Sequence, residues 1–287
     1  MASILSLKRR INAAQNVSKT TRAMQMIAAS KLKRAQDQTL ASRAYVEKIT
    51  ELTNAIASKI AEDKKHPYME MNQETKKKLV IVFSPDKGLC GGMITNLLRE
   101  VSHYNSSNYI FLPVGKKIEQ YTKRFDRELV ASFQFGNTLP SFNMVYPILS
   151  IVDELFLSKK VQSVEIISTR FNNIFSQATK ATTLLPITLS EEQKKLGSEK
   201  TFELFEPNIT TILPILMKRY IEMVLYQQLL ESFLAEQAAR MLAMQNATNN
   251  AKDIIADLKL EYNKTRQAKI TSEILDISGG GIMQNAY

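Results

Sequence analysis

The 287-residue sequence predicts an α+β / α/β protein: a long antiparallel coiled coil of its two ends, with a compact α/β domain inserted between them. Two tracts free of helix breakers and one stretch of strand–helix alternation carry that prediction. No Gly or Pro occurs from Met1 to His66, and none from Ile215 to Ser278. Each Gly costs a helix interior about 1 kcal/mol and each Pro about 3 kcal/mol, so such tracts are informative. Both are rich in Ala, Leu, Met, Gln, Glu, Lys and Arg, the better helix formers. At about 1.5 Å per residue each would run on the order of 90 Å, too long to cover its apolar face without a partner helix.

In the C-terminal tract, Leu216, Tyr220, Met223, Leu230, Phe233, Leu234, Met241, Met244, Ala251, Ile255, Leu258 and Tyr262 recur at spacings of three and four or their multiples. This is an imperfect heptad seam. The N-terminal tract has a thinner one, Leu7, Ile11, Ala14, Ala28, Leu32 and Ala35, with Met24 and Ile27 between. Its small residues allow close helix approach.

The middle of the chain changes period. Lys78–Ser84, Asn108–Gly115, Leu129–Phe135 and Val161–Phe171 read as strands, apolar and β-branched and bounded by turn residues. Met93–Tyr104, Lys116–Phe125 and Pro140–Leu157 read as helices, giving the alternation of a largely parallel sheet. Ala178–Ile187 and Thr201–Phe205 are candidate edge strands, Ser190–Lys200 an exposed loop, and Gly279–Gly281 a helix stop followed by a mobile tail.

The formal net charge is +10. Most of it lies in residues 1–36, where Lys8, Arg9, Arg10, Lys19, Arg22, Lys31, Lys33 and Arg34 meet no acid. Four readings fit that composition: a transit peptide, a nucleic-acid-binding arm, a membrane-surface helix, or a helix facing an acidic protein. The nucleic-acid reading needs aromatics for base stacking, and residues 1–36 hold no Phe, Tyr or Trp. No apolar run approaches the ~18–20 residues of a membrane span.

Little points to catalysis. Cys90 is the single cysteine, which excludes an intramolecular disulfide framework and a cysteine-cluster metal site. His66 and His103 are isolated, as histidines at a surface or a helix end are. No GxxxxGK[ST] occurs, and Gly88-Leu89-Cys90-Gly91-Gly92 is not the dinucleotide fingerprint, so it reads as a tight strand-to-helix turn. Cys90 within it reads as a buried small residue rather than a reactive thiol.

Three blocks carry a resemblance. Thr21–Leu32 (TRAMQMIAASKL) resembles the N-terminal signature of the gamma-subunit family of F-type ATP synthases. Asp86–Gly92 (DKGLCGG) resembles that family's turn, in which Arg is commoner than Lys at the position of Lys87. Ala239–Thr248 and Tyr262–Glu273 resemble its C-terminal signature. The resemblance implies a Rossmann-like α/β insert, so that residues 1–66 form the N-terminal shaft helix, 67–207 the α/β domain, and 208–287 the C-terminal shaft helix and tail.

It implies a non-catalytic central-stalk rotor, one copy per complex, with alpha, beta, epsilon and c-ring subunits as partners, no cofactor and no nucleic acid. It places Arg266, Gln267, Thr271 and Glu273 in a polar contact with beta. Met24 falls near the acidic loop of beta, with Lys31, Lys33 and Arg34 as electrostatic counterparts further along. The signature starts so early that no transit peptide is expected, which points to the cytoplasmic face of a bacterial plasma (inner) membrane. A basic coiled-coil protein binding nucleic acid is the alternative.

Overall fold

Strand β1, Lys78–Phe83, is the hub of the inserted domain. Its alternate side chains serve two cores, as the period of two in a strand requires. Leu79, Ile81 and Phe83 join one apolar cluster; Val80 and Val82 join another. β1 lies between β2 (Tyr109–Val114) and β3 (Ser163–Phe171), parallel to both, and β4 (Gln177–Leu185) returns antiparallel on β3. The sheet order is β2-β1-β3-β4. The computed structural model describes residues 3–58, 66–187 and 208–284.

Helices cover both faces. Leu97 and Val101 of α2 (Met93–Ser102) and Ile118 of α3 (Lys116–Arg124) pack on Val80, Val82 and Phe111. On the opposite face, Ile148, Leu149 and Val152 of α4 (Val145–Leu157) share a core with residues of the two long helices, α1 (Ile4–Ser58) and α5 (Ile209–Gln284).

By compactness the chain divides into residues 1–27 with 241–287, and residues 28–240. The first unit is a helix pair. Ser3 caps α1, its Oγ accepting from Ser6 N at 3.2 Å. Leu7 and Ile11 pack with Leu258 and Tyr262, and the hydroxyls of Thr21 and Thr248 lie 2.7 Å apart. Partners fall on one helix as they rise on the other, so the helices are antiparallel.

The second unit holds the sheet, its helices and the rest of α1 and α5. Asn208 caps α5, accepting from Thr211 N at 2.8 Å. Along α5 every residue from Ile221 to Arg240 is buried or half-buried. Several of its polar side chains find partners there, as most buried polar groups do. Arg43 of α1 pairs with Glu231 at 2.9 Å, and Gln227 donates to the same carboxylate at 3.1 Å. Gln38 donates to the Tyr226 hydroxyl at 2.6 Å.

Several expectations change. Every residue of the C-terminal seam is buried or half-buried, but Met24 and Ile27 face outward at 37% and 57% exposure. Leu129–Phe135 makes only two isolated parallel bridges, Phe111↔Leu129 and Val114↔Phe133. Pro113 lies between those bridged positions of β2 and has no N–H to donate, so the ladder breaks there. The helix expected from Pro140 begins at Val145, after a 3-10 turn at Phe142–Met144. α5 starts six residues before the Gly/Pro-free tract, carries Pro214 inside it, and continues through Gly279–Gly281 to Gln284. Each residue added to an existing helix gains a hydrogen bond without a new nucleus, which offsets glycine's poor propensity. The expected loop Ser190–Lys200 and strand Thr201–Phe205 lie outside the described residues.

Candidate functional site

The turn after β1 is built to hold its neighbours rather than a ligand. Asp86 spreads its carboxylate over two backbone donors, Lys116 N at 2.7 Å and Gly136 N at 2.6 Å. It thereby ties the start of α3 and the loop after Phe135 to the end of β1. Gly115 sits at φ 119°, where a Cβ would lie 2.0 Å from the Ser84 carbonyl oxygen. Only glycine lets β2 pass that close. Ser84 is itself fixed, its N donating to Val114 O and its Oγ accepting from Ile118 N at 3.1 Å.

The long helices grip this turn and the neighbouring loop. Arg240 of α5 donates through Nη2 to the carbonyls of Lys87 and Gly88, at 3.1 and 3.3 Å. Its Nη1 pairs with Glu236 one turn earlier at 2.7 Å, and both side chains are nearly buried. Gln237 donates to Asn137 Oδ1 at 3.1 Å. From α1, the Lys31 ammonium donates to the Asn137 carbonyl at 2.5 Å. Tyr226 donates to the carbonyl of buried Pro140 at 3.5 Å.

Electrostatics follow from the crowding. Burial pushes the Glu236 carboxyl above the ordinary carboxylate range, against the pull of Arg240. Burial, then the Arg240 charge, hold Lys31 below its ordinary value, against the pull of Glu236. Cys90 packs with Met93, Ala235 and Ala239, and burial pushes its thiol up, so it is the unreactive core residue expected. Both histidines sit at the ends of short helices. His66 Nδ1 accepts from Tyr68 N at 3.3 Å to cap a 3-10 turn, and His103 closes α2.

The residues singled out by resemblance are mostly on open helix surface. Lys33 and Arg34 are exposed, Lys33 paired with Asp37 at 3.1 Å where both groups are wet. Arg266, Gln267, Thr271 and Glu273 are exposed on α5, with Thr271 Oγ1 donating to Gln267 O at 3.0 Å and Glu273 3.5 Å from Lys269. Within the helix-pair unit Met24 lies far along from that quartet. The Thr21–Thr248 contact sets Met24 level with residues near 245, about twenty positions and roughly 30 Å from Arg266 at ~1.5 Å per residue. Of Lys31, Lys33 and Arg34, Lys31 is the one bonded to the inserted domain.

Sequence reading assigned no role to Arg240, Glu236, Gln237 or Asn137. One signal was available: Glu236 and Arg240 are spaced i,i+4 inside a tract whose neighbours are Ala and Leu, the pattern of a charge pair taken into a core.

Comparisons with known proteins point one way. Residues 3–281 match the family model described as ATP synthase. Over 284 residues the chain is 39% identical to the ATP synthase gamma chain of Dehalococcoides mccartyi, covering 98% of both. In the cryo-EM structure of the Tetrahymena thermophila mitochondrial ATP synthase central stalk and c-ring, one chain superposes with a TM-score of 0.60. It is 28% identical, over 79% of this chain and 99% of that one. A chain of the Euglena gracilis mitochondrial ATP synthase OSCP/F1/c-ring structure shares the fold, with a TM-score of 0.72 at 18% identity over 99% of this chain and 95% of that one.

Proposed function

This chain belongs to the ATP synthase gamma-chain family, and on that premise we propose that it is the central-stalk rotor of a proton-translocating F-type ATP synthase. Its paired helices enter a ring of alternating alpha and beta subunits, while its α/β domain, with epsilon, rides on a ring of c subunits. Proton flow turns the c-ring and this chain together. The asymmetric helix pair then changes the nucleotide sites of the beta subunits in sequence, and ATP hydrolysis drives the reverse. The family match over residues 3–281 carries the reading.

The chain itself is non-catalytic in this scheme. Its chemically versatile side chains are spent on structure: Asp86 on backbone amides, His66 on a helix cap and Cys90 on core packing. Residues 1–66 and 208–287 form the shaft and residues 67–207 the domain that receives torque. Met24, Lys33 and Arg34, with Arg266, Gln267, Thr271 and Glu273, meet beta, and their exposure leaves them available for it. Lys31 contributes its charge to that surface while its amine remains on Asn137. Of the eight basic residues in 1–36, the other seven are exposed, which suits an acidic protein ring. Among the described residues no helix is long and apolar enough to cross a membrane. In the rotor reading the complex holds the chain peripherally, at the cytoplasmic face of a bacterial plasma membrane.

Co-expression with alpha and beta subunits tests the reading. The expected result is a stoichiometric complex with one copy of this chain, whose ATP hydrolysis turns a bead fixed to the α/β domain. Failure of the chain to co-purify with alpha and beta would refute it.

A further inference from the structure

Ser168 of β3 donates to Gln228 of α5 at 2.7 Å; the other bonds between the long helices and the sheet domain fall on the turn and the neighbouring loop and share one chemical pattern. With a single exception the acceptors are backbone carbonyls of the domain: Lys87 O and Gly88 O in the turn, and Asn137 O and Pro140 O in the loop. Their donors are side chains of the helices: Arg240, Lys31 and Tyr226. The exception, Gln237 to Asn137 Oδ1, falls on the same loop. Asp86 cross-links turn to loop through Gly136 N, so the two acceptor segments act as one piece.

A backbone carbonyl cannot rotate away as a side chain can, because moving it moves the strand end to which it belongs. Arg240 contributes a planar fork of fixed geometry, which Lys cannot replace. Glu236 orients that fork from the preceding turn of the same helix.

We propose that Arg240 is a positioning residue for rotary coupling: by binding the Lys87 and Gly88 carbonyls it sets the torsional stiffness with which the sheet domain turns the two long helices. The inference rests on the rotor reading above and adds to it the place within residues 28–240 where torque crosses from sheet to helix. Both ends of the bonds this fork makes lie within the chain itself. The effect of Arg240 on ATP synthesis is mechanical.

The test uses the assembled complex, with a bead on the α/β domain and the alpha and beta subunits fixed to a surface. The readouts are the angular variance of the bead during a catalytic dwell and the ratio of protons pumped to ATP hydrolysed. Five bonds make up the belt. As equal springs in parallel, sharing load with the Ser168–Gln228 bond and with apolar packing, loss of two raises the variance by about 1.2- to 1.5-fold. Arg240→Ala is expected to give that increase and a lowered pumping ratio, with hydrolysis retained. Arg240→Lys is expected to lie between, since an ammonium recovers the charge but not the fork.

If Arg240 were merely structural, its variants would lower the yield or melting temperature while surviving complexes kept wild-type variance and pumping ratio. That result overturns the proposal. Should Arg240→Ala fail to assemble, Lys31→Met and Gln237→Leu each remove one bond of the belt. Wild-type variance in both overturns the proposal equally. Failure of the unsubstituted chain to assemble and rotate is a different outcome, which removes the rotor reading and this inference with it.

Discussion

Replacing Gly115 by Ala puts the packing of the strand ends to a direct test. The new Cβ would meet the Ser84 carbonyl oxygen at 2.0 Å and its Oγ at 2.6 Å, on a residue whose φ is 119°. A sparsely populated backbone conformation costs a side-chain-bearing residue about 1–3 kcal/mol. Forcing an extra methyl into a filled space costs about 1–3 kcal/mol more. Ser84 cannot retreat cheaply, because its N and Oγ are held by Val114 O and Ile118 N.

The expected loss is therefore about 2–6 kcal/mol, or roughly 4–24 °C of melting temperature at ~2–4 °C per kcal/mol for a unit of some 200 residues. Two other glycines separate the contributions. Gly136 has φ 74° and nothing within 4 Å of an added Cβ, so Gly136→Ala carries the backbone strain alone, about 1–2 kcal/mol. Gly88→Ala meets neither strain nor contact and should stay within about 0.5 kcal/mol of the parent. The chain has no Trp, so near-ultraviolet circular dichroism of its tyrosines is the assay. Tyr104, Tyr109 and Tyr121 pack against the α2–α3 core and report on this domain. Gly115→Ala melting within about 2 °C of the parent would refute the reasoning, as would a reversed order of the three variants.

Other consequences can be measured separately. Burial raises the Asp153 carboxyl above its ordinary value, opposed by the Tyr68 hydroxyl donating to it at 2.8 Å and by Lys218. The native state thus holds that proton more tightly than the unfolded chain, and stability falls as pH rises through the window above the ordinary Asp value. Asp153→Asn should flatten that fall in urea midpoints between about pH 4 and 7, and an unchanged slope would count against it. Leu7 is fully buried against Leu258. Leu7→Ala should cost about 2–4 kcal/mol locally, read as faster amide exchange at the start of α1 with the sheet amides unchanged. In the assembled complex, Lys33→Glu with Arg34→Glu should lower protons pumped per ATP, whereas coupled pumping at wild-type efficiency would remove those residues from the beta contact.

What the sequence disclosed and what it hid divide along chain distance. The long helices were legible because a helix interior rejects Gly and Pro, a property read one residue at a time. β1 was legible because Leu79–Phe83 is apolar on both faces, as a strand covered on both sides must be. The failure at Leu129–Phe135 came from a residue in another segment, Pro113, whose missing N–H has no signature in the failed strand itself. The grip on the turn was hidden for the same reason, since Arg240 and Lys87 lie 153 positions apart. Met24 and Lys31 illustrate the remaining gap. A periodic pattern places both on α1, but only the packed domain reveals that one is open and the other is held by the Asn137 carbonyl.

The backbone acceptors beneath Arg240 also bear on how freely this surface can drift in evolution. A carbonyl is present whatever side chain its residue carries, so positions 87 and 88 can change identity and still accept both bonds. At Lys87 and Gly88 alike, the grip does not read the side chain at all. The burden of constancy falls instead on the donors, and above all on Arg240, for which no other residue supplies the same fork. Selection acting on this joint should therefore tolerate variety in the turn and little in the helix that holds it.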